Sequence, residues 1–273
     1  MTAQTNPMGD YDVDGPDYLQ TLSRGLSVIR AFGADAPRMT LAQVAQRTDL
    51  SRAVVRRCLR TLIHDGYALT DGKVFWLSPR ILELGFAYLS STHFLEVARP
   101  LMDDVARRTR EICALSVLDG ADVVFLHTAR VPSKRIVTLN IVAGSRLPAY
   151  ASSMGRMLLA SLSSGALDYF FKSASLRRLT ERTVVNARKL RQAIDQARKD
   201  GWCLVDGEIE GGLRSIAVPV TDRLSRTTAA LNIVCHSSQV TNRQMVDRFL
   251  PVLRQVAARI SGREVSASAR KLR

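Results

Sequence analysis

The chain has 273 residues, with 39 Lys or Arg against 25 Asp or Glu and a formal net charge of +14. Hydrophobic residues make up 46 % of it, so it can bury an ordinary core, and its length predicts about two domains. No apolar run approaches the roughly 18 residues of a membrane span, and the composition excludes a disordered, collagen-like or coiled-coil protein.

Charge and cysteine usage narrow the class of protein further. A positive surplus this large attracts polyanions, of which nucleic acid is the commonest. Residues 1–17 carry four Asp and no basic residue, which predicts an acidic disordered tail and no leader peptide. The four cysteines and four histidines are scattered singly, without CxxC or HExxH, which predicts a cytoplasmic protein with reduced thiols and neither a metal site nor a cofactor.

Residues 18–80 predict a winged helix-turn-helix domain. Apolar residues at helical spacing predict a first helix from about Leu19. Thr40 is the N-cap of a short second helix, and Ser51 is the N-cap of a third that runs to about Asp65. Because only a three-residue turn separates the last two helices, they must cross steeply.

The third helix predicts one apolar face and one cationic face. At about 100° per residue, Val55, Leu59 and Leu62 share a side, and arginines occupy the other. Arginines bind phosphates or the guanine edge, and the small Ala53 lets the backbone approach a groove. The predicted DNA-binding residues of the domain are Thr40, Gln43, Ser51, Arg52, Ala53, Arg56, Arg57, Arg60 and Lys73.

A hairpin completes this domain. Asp71-Gly72 lies between two β-prone runs and predicts a primed turn with positive φ at both residues. Lys73 at the tip is placed to contact a phosphate or the minor groove. The alternative is a three-helix domain whose basic face is merely solvated.

Residues 81–97 predict a linker helix, and residues 98–260 a second domain. The linker is apolar around its circumference, so we expect it to bury surface against a second copy. Strands predicted at 112–118, 122–128, 136–142, 202–205, 215–220 and 229–235, with helices grouped between them, indicate an α+β domain with a mainly antiparallel sheet. The predicted helices are 94–111, 155–162, 167–172, 190–199 and 249–260, and residues 261–273 predict a basic tail.

The chain resembles IclR-type transcriptional regulators from about residue 18 to residue 260. In the first domain the resemblance is carried by LSRGL at 22–26, LSRA at 50–53 and LSPR at 77–80. In the second it is carried by LPAYASSMGR at 147–156, by DGE at 206–208 and by GGLRSIAVPV at 211–220. Within the family, the chain is most similar to regulators of aromatic-acid breakdown through protocatechuate and β-ketoadipate.

The resemblance implies a regulator with two kinds of binding site. The expected partners are double-stranded operator DNA, a small aromatic or dicarboxylic acid and further copies of the chain in a homodimer or tetramer. The second domain would have a GAF-like fold that binds the effector. No membrane association is expected.

An effector pocket is expected around the start of the helix near residue 155. Two hydroxyls and the free amides of a helix N-terminus suit a carboxylate, and Gly155 lets a ligand or backbone come close. The resemblance adds residues across the pocket. The predicted effector-binding residues are Ala151, Ser152, Ser153, Met154, Gly155, Asp206, Glu208, Ser215 and Asn232.

Two other functions are open at this point. Ala151-x-Ser153-x-Gly155 is one residue from the GxSxG nucleophile elbow, and Asp206 and His236 follow in hydrolase order. The elbow requires a buried strand before the serine, whereas residues 145–148 are polar and end in proline, so we predict no enzyme. The other alternative is a DNA-binding oligomer whose second domain binds no ligand.

Overall fold

The computed structural model describes Gly15 and residues 18–91, 94–131, 141–222 and 224–262, which form two compact units separated between residues 92 and 93. Most of the predicted acidic tail (1–17) and basic tail (261–273) lies outside the described residues. Among the helices that are described, none combines the length and apolar composition needed to cross a bilayer.

The N-terminal unit confirms the predicted order of three helices and a hairpin. Its elements are α1 (Gln20–Ala31), β1 (Met39–Thr40), α2 (Leu41–Thr48), α3 (Arg52–His64), β2 (Ala68–Thr70) and β3 (Val74–Leu77). The strands form an antiparallel sheet in the order β1-β3-β2. Strand β1 was not predicted, because two residues are too few to show an alternating pattern.

One core holds this unit together. Val28, Val44, Val55 and Leu59 are fully buried in it, and Ala68 joins them from the wing. The predicted apolar face of α3 therefore packs inward. Burying one side chain of this size stabilises the fold by about 1.5–3 kcal/mol relative to leaving it exposed. Because the apolar face of α3 is held inward in this way, its cationic face points outward.

The first helix contacts the core with its C-terminal half and leaves its N-terminal leucines outside. Leu22 and Leu26 are 61 % and 44 % exposed, whereas Val28 and Ala31 are buried. Only the C-terminal half of α1 contributes buried side chains, because the core begins at that level of the helix. The helix was predicted correctly, but its N-terminal leucines remain uncovered in one copy of the chain.

The wing tip is not the predicted primed turn. Gly72 has a φ of +93°, but Asp71 is not among the described residues with positive φ. Instead, the carboxylate of Asp71 accepts hydrogen bonds from the backbone N–H groups of Lys73 and Val74, both at 2.9 Å. These bonds from Val74 and Lys73 also hold the pKa of Asp71 below its ordinary value. A side chain thus organises the tip, and only glycine needs the left-handed conformation.

The predicted linker helix of residues 81–97 corresponds to two helices. Ser78 caps a 3-10 turn (Pro79–Ile81), which leads into α4 (Leu82–Ser91). Helix α5 (Phe94–Thr109) then begins within the predicted linker, so the predicted boundary at residue 97 falls inside α5.

The C-terminal unit confirms an α+β domain with an antiparallel sheet. The strands are β4 (Ile112–Asp119), β5 (Asp122–Ala129), β6 (Arg146–Pro148), β7 (Cys203–Asp206), β8 (Leu213–Thr221) and β9 (Thr227–His236). They lie in the sheet in the order β6-β5-β4-β9-β8-β7. Besides α5, the helices are α6 (Ser153–Leu159), α7 (Ser164–Ser173), α8 (Ala187–Asp200), α9 (Asn242–Gln244), a π-helical turn (Met245–Phe249) and α10 (Leu250–Ile260).

Helices cover both faces of this sheet. Helix α6 packs on strands β4, β8 and β9 with α8 behind it, and α5 and α10 pack on the other face. The strand predicted at 136–142 lies mostly outside the described residues, and residues 141 and 142 are not in a strand. The edge strand β6 was missed because Pro148 ends it, a residue that sheets accept only at such edges.

Candidate DNA interface and effector pocket

The outer face of α3 is strongly cationic. Ser51 caps the helix by accepting a hydrogen bond from the backbone N–H of Val54 at 3.4 Å. Arg56, Arg57 and Arg60 are exposed on the side opposite the core, and Arg52 and Ala53 are exposed at its start. Within the described residues no carboxylate pairs with these arginines, so their charge is available to a polyanion.

The start of α2 is a capping box rather than a free pair of side chains. The backbone N–H of Thr40 donates to the Gln43 side chain at 2.8 Å, and the backbone N–H of Gln43 donates to the Thr40 hydroxyl at 3.4 Å. Thr40 and Gln43, both predicted to contact DNA, therefore use these groups to stabilise the start of α2. Lys73 is exposed at the wing tip, as its position in the hairpin requires.

A pocket in the C-terminal unit lies between the sheet and α6. Its empty space, including the part open to solvent, is about 410 Å³. Most of its wall is apolar, and sequence reasoning did not single out these residues because they resemble any other core positions. They are Phe125, Ile141, Leu147, Val205, Ile209, Leu213 and Val234.

Five of the predicted effector residues line this pocket, although they are far apart in the chain. They are Ser152, Met154, Glu208, Ser215 and Asn232. Ser153 lies behind Ser215, to which its hydroxyl donates a hydrogen bond of 2.8 Å. Ala151, Gly155 and Asp206 are not among the residues that line it.

The Ser153–Ser215 pair leaves one donor for a ligand. A hydroxyl donates a single hydrogen bond, and that of Ser153 is directed to Ser215. Ser215 therefore accepts from Ser153 and keeps its own O–H to donate into the pocket, where it makes no other described hydrogen bond. Such a donor suits a carboxylate oxygen.

Asn232 presents an unpaired acceptor at the floor of the pocket. Its side chain is only 2 % exposed, yet Oδ1 has no hydrogen-bond partner among the described residues. On β8 and β9, Asn232 pairs with Ala217 and Val234 pairs with Ser215, so Asn232 and Ser215 are diagonal neighbours about 7–8 Å apart on one face. A ligand that donates at one end and accepts at the other fits this spacing.

Glu208 lines the pocket but its charge is already neutralised. Its carboxylate accepts hydrogen bonds from Arg156 at 2.6 Å and from the backbone N–H of Val184 at 2.8 Å. The Arg156 side chain also donates to the carbonyl of Tyr150 at 2.8 Å. Arg156 and Glu208 are 4 % and 7 % exposed, so the pair is a buried structural link. The sequence offered no sign of it beyond an arginine within an otherwise apolar helix.

The start of α6 differs from the expected carboxylate site. The N–H of Gly155 donates to its cap Ser152 at 3.0 Å, so this amide is not free. A Cβ on Gly155 would lie 2.1 Å from the carbonyl oxygen of Ala149, which shows that glycine is needed for a close backbone contact. The Ser215 hydroxyl and the Asn232 amide, rather than the N-terminus of α6, are the polar groups that the pocket offers to a ligand.

Asp206 belongs to a separate ion-pair cluster. It pairs with Arg214 at 2.8 Å and with Arg182 at 3.1 Å. The same Arg214 donates to the carbonyls of Ser237 and Val240. This cluster ties β7 and β8 to the segments around them.

Among the described residues, no hydrolase triad is assembled around Ser153. Its hydroxyl donates to Ser215, and Nδ1 of His236 lies 2.7 Å from the hydroxyl of Ser238. A 3-10 turn (Ala149–Ala151) leads into α6 in place of the buried strand that a nucleophile elbow requires. The hydrolase alternative therefore lacks both its base and its turn.

Family models match both units of the chain. The model described as the IclR helix-turn-helix domain matches residues 21–72. The model described as the bacterial transcriptional regulator IclR C-terminal domain matches residues 86–262.

Individual relatives agree with these matches. The Pca regulon regulatory protein of Pseudomonas putida is 42 % identical, over 87 % of this chain and 81 % of its own length. The p-hydroxybenzoate hydroxylase transcriptional activator of Acinetobacter baylyi is 34 % identical, over 92 % of this chain and 94 % of its own. A crystal structure of an IclR homologue from Microbacterium hydrocarbonoxydans in complex with 4-hydroxybenzoate is similar, with a TM-score of 0.77, 26 % identity and coverage of 89 % and 98 %.

Proposed function

We propose a ligand-controlled function for this chain, which belongs to the IclR family of bacterial transcriptional regulators. It binds operator DNA through α3 and the wing, in the cytoplasm, and a small organic acid in the C-terminal pocket alters that binding. The unpaired arginine face of α3 supports the DNA interface. All four cysteines, each within the described part of the chain, are buried and outside any disulfide, which suits a reducing compartment.

The proposed effector is an aromatic or dicarboxylic acid of an aromatic-degradation pathway. Two relatives are named for the Pca regulon and for p-hydroxybenzoate hydroxylase, and a third was crystallised with 4-hydroxybenzoate. The observation that carries the proposal for this chain is the unpaired Oδ1 of Asn232 in an apolar pocket. Buried polar atoms without partners are rare, and a ligand that donates to this one removes the cost.

A thermal-unfolding series tests this pocket. We expect 4-hydroxybenzoate, protocatechuate or β-ketoadipate to raise the Tm of the full chain, because a ligand that binds only the folded state stabilises it. Asn232→Leu should raise the dissociation constant of the acid that binds by about tenfold, because it removes one hydrogen bond to the ligand. The ligand-free variant should unfold at the same or a higher temperature, since leucine removes a buried polar atom that has no partner.

Ser238→Ala is the matched control, because the described hydrogen bonds of Ser238 are to His236 and Ser238 does not line the pocket. Its ligand response should equal that of the unaltered chain. If none of the three acids changes the Tm, the pocket proposal fails and the ligand-independent oligomer becomes the better description.

We also propose that the chain acts as a homodimer, with a tetramer as a dimer of dimers. Leu82 and Phe86 of α4 are 71 % and 68 % exposed, and Leu22 and Leu26 of α1 are uncovered as well. Leu82 and Phe86 lie one turn apart on α4, and exposed apolar patches of this kind mark contact sites between proteins. A second copy would also place two α3 helices on half-sites about one helical turn, or a multiple of it, apart.

Sedimentation equilibrium tests the dimer. Phe86→Asp should raise the dimer dissociation constant by about tenfold or more, because it places a charge in a buried apolar contact. The exposed Tyr169→Asp on α7 is the control and should leave a dimer mediated by α4 unchanged. A chain that is monomeric at all concentrations would contradict the proposal.

A further inference from the structure

An exposed arginine beside the wing is held in place by a tryptophan. The guanidinium carbon of Arg38 lies 4.1 Å from the ring centre of Trp76 on β3. In the register of β1 and β3, Met39 pairs with Phe75, so Arg38 precedes β1 next to the position of Trp76. Phe75 packs against the core, and successive strand residues alternate, so Trp76 is on the outer face of the wing sheet.

The charge of Arg38 is not neutralised within its own unit. No carboxylate lies within ion-pair distance of it among the described residues, whereas Arg47 pairs with Asp35 and Arg80 pairs with Glu83. Arg38 also contributes to lowering the pKa of Asp71, after the backbone hydrogen bonds of that carboxylate, so its charge is felt at the wing tip.

The position of Arg38 is tied to the DNA-binding elements. It lies two residues before Thr40, which caps α2 and pairs with Val74 on the wing. Lys73, at the wing tip, directly precedes Val74 in the chain. Arg38 therefore lies beside the wing, which the proposed function places on DNA, and close to the start of α2, whose Thr40 and Gln43 are predicted DNA contacts.

We propose that Arg38 is a further DNA-contacting residue, held by Trp76 so that it binds a backbone phosphate beside the wing. A flexible exposed arginine loses side-chain entropy when it binds, and stacking removes part of that loss beforehand. Arginine stacks on aromatic faces while its N–H donors stay at the edge of the planar group, where they bind phosphate oxygens. This inference rests on the proposed DNA-binding function.

Salt-dependent operator affinity tests the inference. The probe is the duplex that the unaltered full chain selects from a random-sequence pool. Arg38→Ala should reduce the slope of log K against log [salt] by about one for each subunit bound and weaken binding about three- to tenfold at low salt. Trp76→Leu should weaken binding severalfold without changing the slope, because the charge remains and only its fixed position is lost.

Two control variants keep the outcomes distinct. Arg243→Ala removes one charge from the C-terminal unit, where the described ion pair of Arg243 is with Asp247, and should leave the slope unchanged. Trp76→Phe keeps an aromatic ring and should retain affinity even if Trp76→Leu unfolds the wing.

The results separate this inference from the function on which it rests. If Arg57→Ala weakens binding but Arg38→Ala leaves both slope and affinity unchanged, Arg38 is not a contact and the inference is overturned. An equal slope change in Arg38→Ala and Arg243→Ala would overturn it too. If the unaltered chain selects no operator, the proposed DNA-binding function itself is wrong.

Discussion

Glu208→Ala is expected to lower the free energy of unfolding of the C-terminal unit by about 3–5 kcal/mol. The substitution leaves the Arg156 guanidinium charged, 4 % exposed and without the carboxylate that it contacts at 2.6 Å. It also removes the acceptor of the Val184 backbone N–H. Urea unfolding followed by Trp202 fluorescence measures this, in a Trp76→Phe background that silences the other of the two tryptophans.

An exposed ion pair provides the comparison. Arg243→Ala breaks a pair whose side chains are solvated, and its effect should stay within about 0.5 kcal/mol. The double variant Arg156→Met/Glu208→Leu should regain much of the lost stability, since removing both charges leaves no unpaired one. A loss below 1 kcal/mol in Glu208→Ala would mean that water reaches Arg156 and that the link is not buried in solution.

Arg57→Ala is expected to weaken binding of the selected operator by about 1–3 kcal/mol for each subunit bound, if its guanidinium contacts a guanine edge. Arg57 is exposed on α3 opposite the buried Val55, Leu59 and Leu62. A base contact predicts that the loss is much smaller on a non-operator duplex, which the protein binds through phosphates alone. Competition binding with both duplexes at one salt concentration measures the difference.

Arg56→Ala is the neighbouring test of the same face. If it contacts a phosphate instead, it should weaken binding to both duplexes equally and reduce the salt slope by about one per subunit. Arg243→Ala again supplies the change in net charge without a change in the interface. Unchanged affinity in both Arg56→Ala and Arg57→Ala would contradict the assignment of this face to DNA.

Local signals in the sequence predicted the N-terminal unit well. Caps at Thr40 and Ser51, apolar spacing on α3 and Asp-Gly in the wing are short-range features, and the structure has the helices and hairpin that they indicate. Two features of this unit differ from what the local signals indicate. The wing turn is organised by the Asp71 carboxylate, and Leu22 and Leu26 of α1 lie outside the core.

The sequence by itself determined the order of the main elements apart from β1 and β6, the two-unit organisation and the cationic face of α3. Periodicity and capping act within a few residues, so they can be read along the chain. Only the tertiary structure decided the pocket, because Ser152, Glu208, Ser215 and Asn232 meet through sheet register and the packing of α6. It also decided which carboxylates are paired. Asp206 and Glu208 are the two acidic residues of the DGE motif, yet each forms an ion pair with an arginine from a different part of the fold.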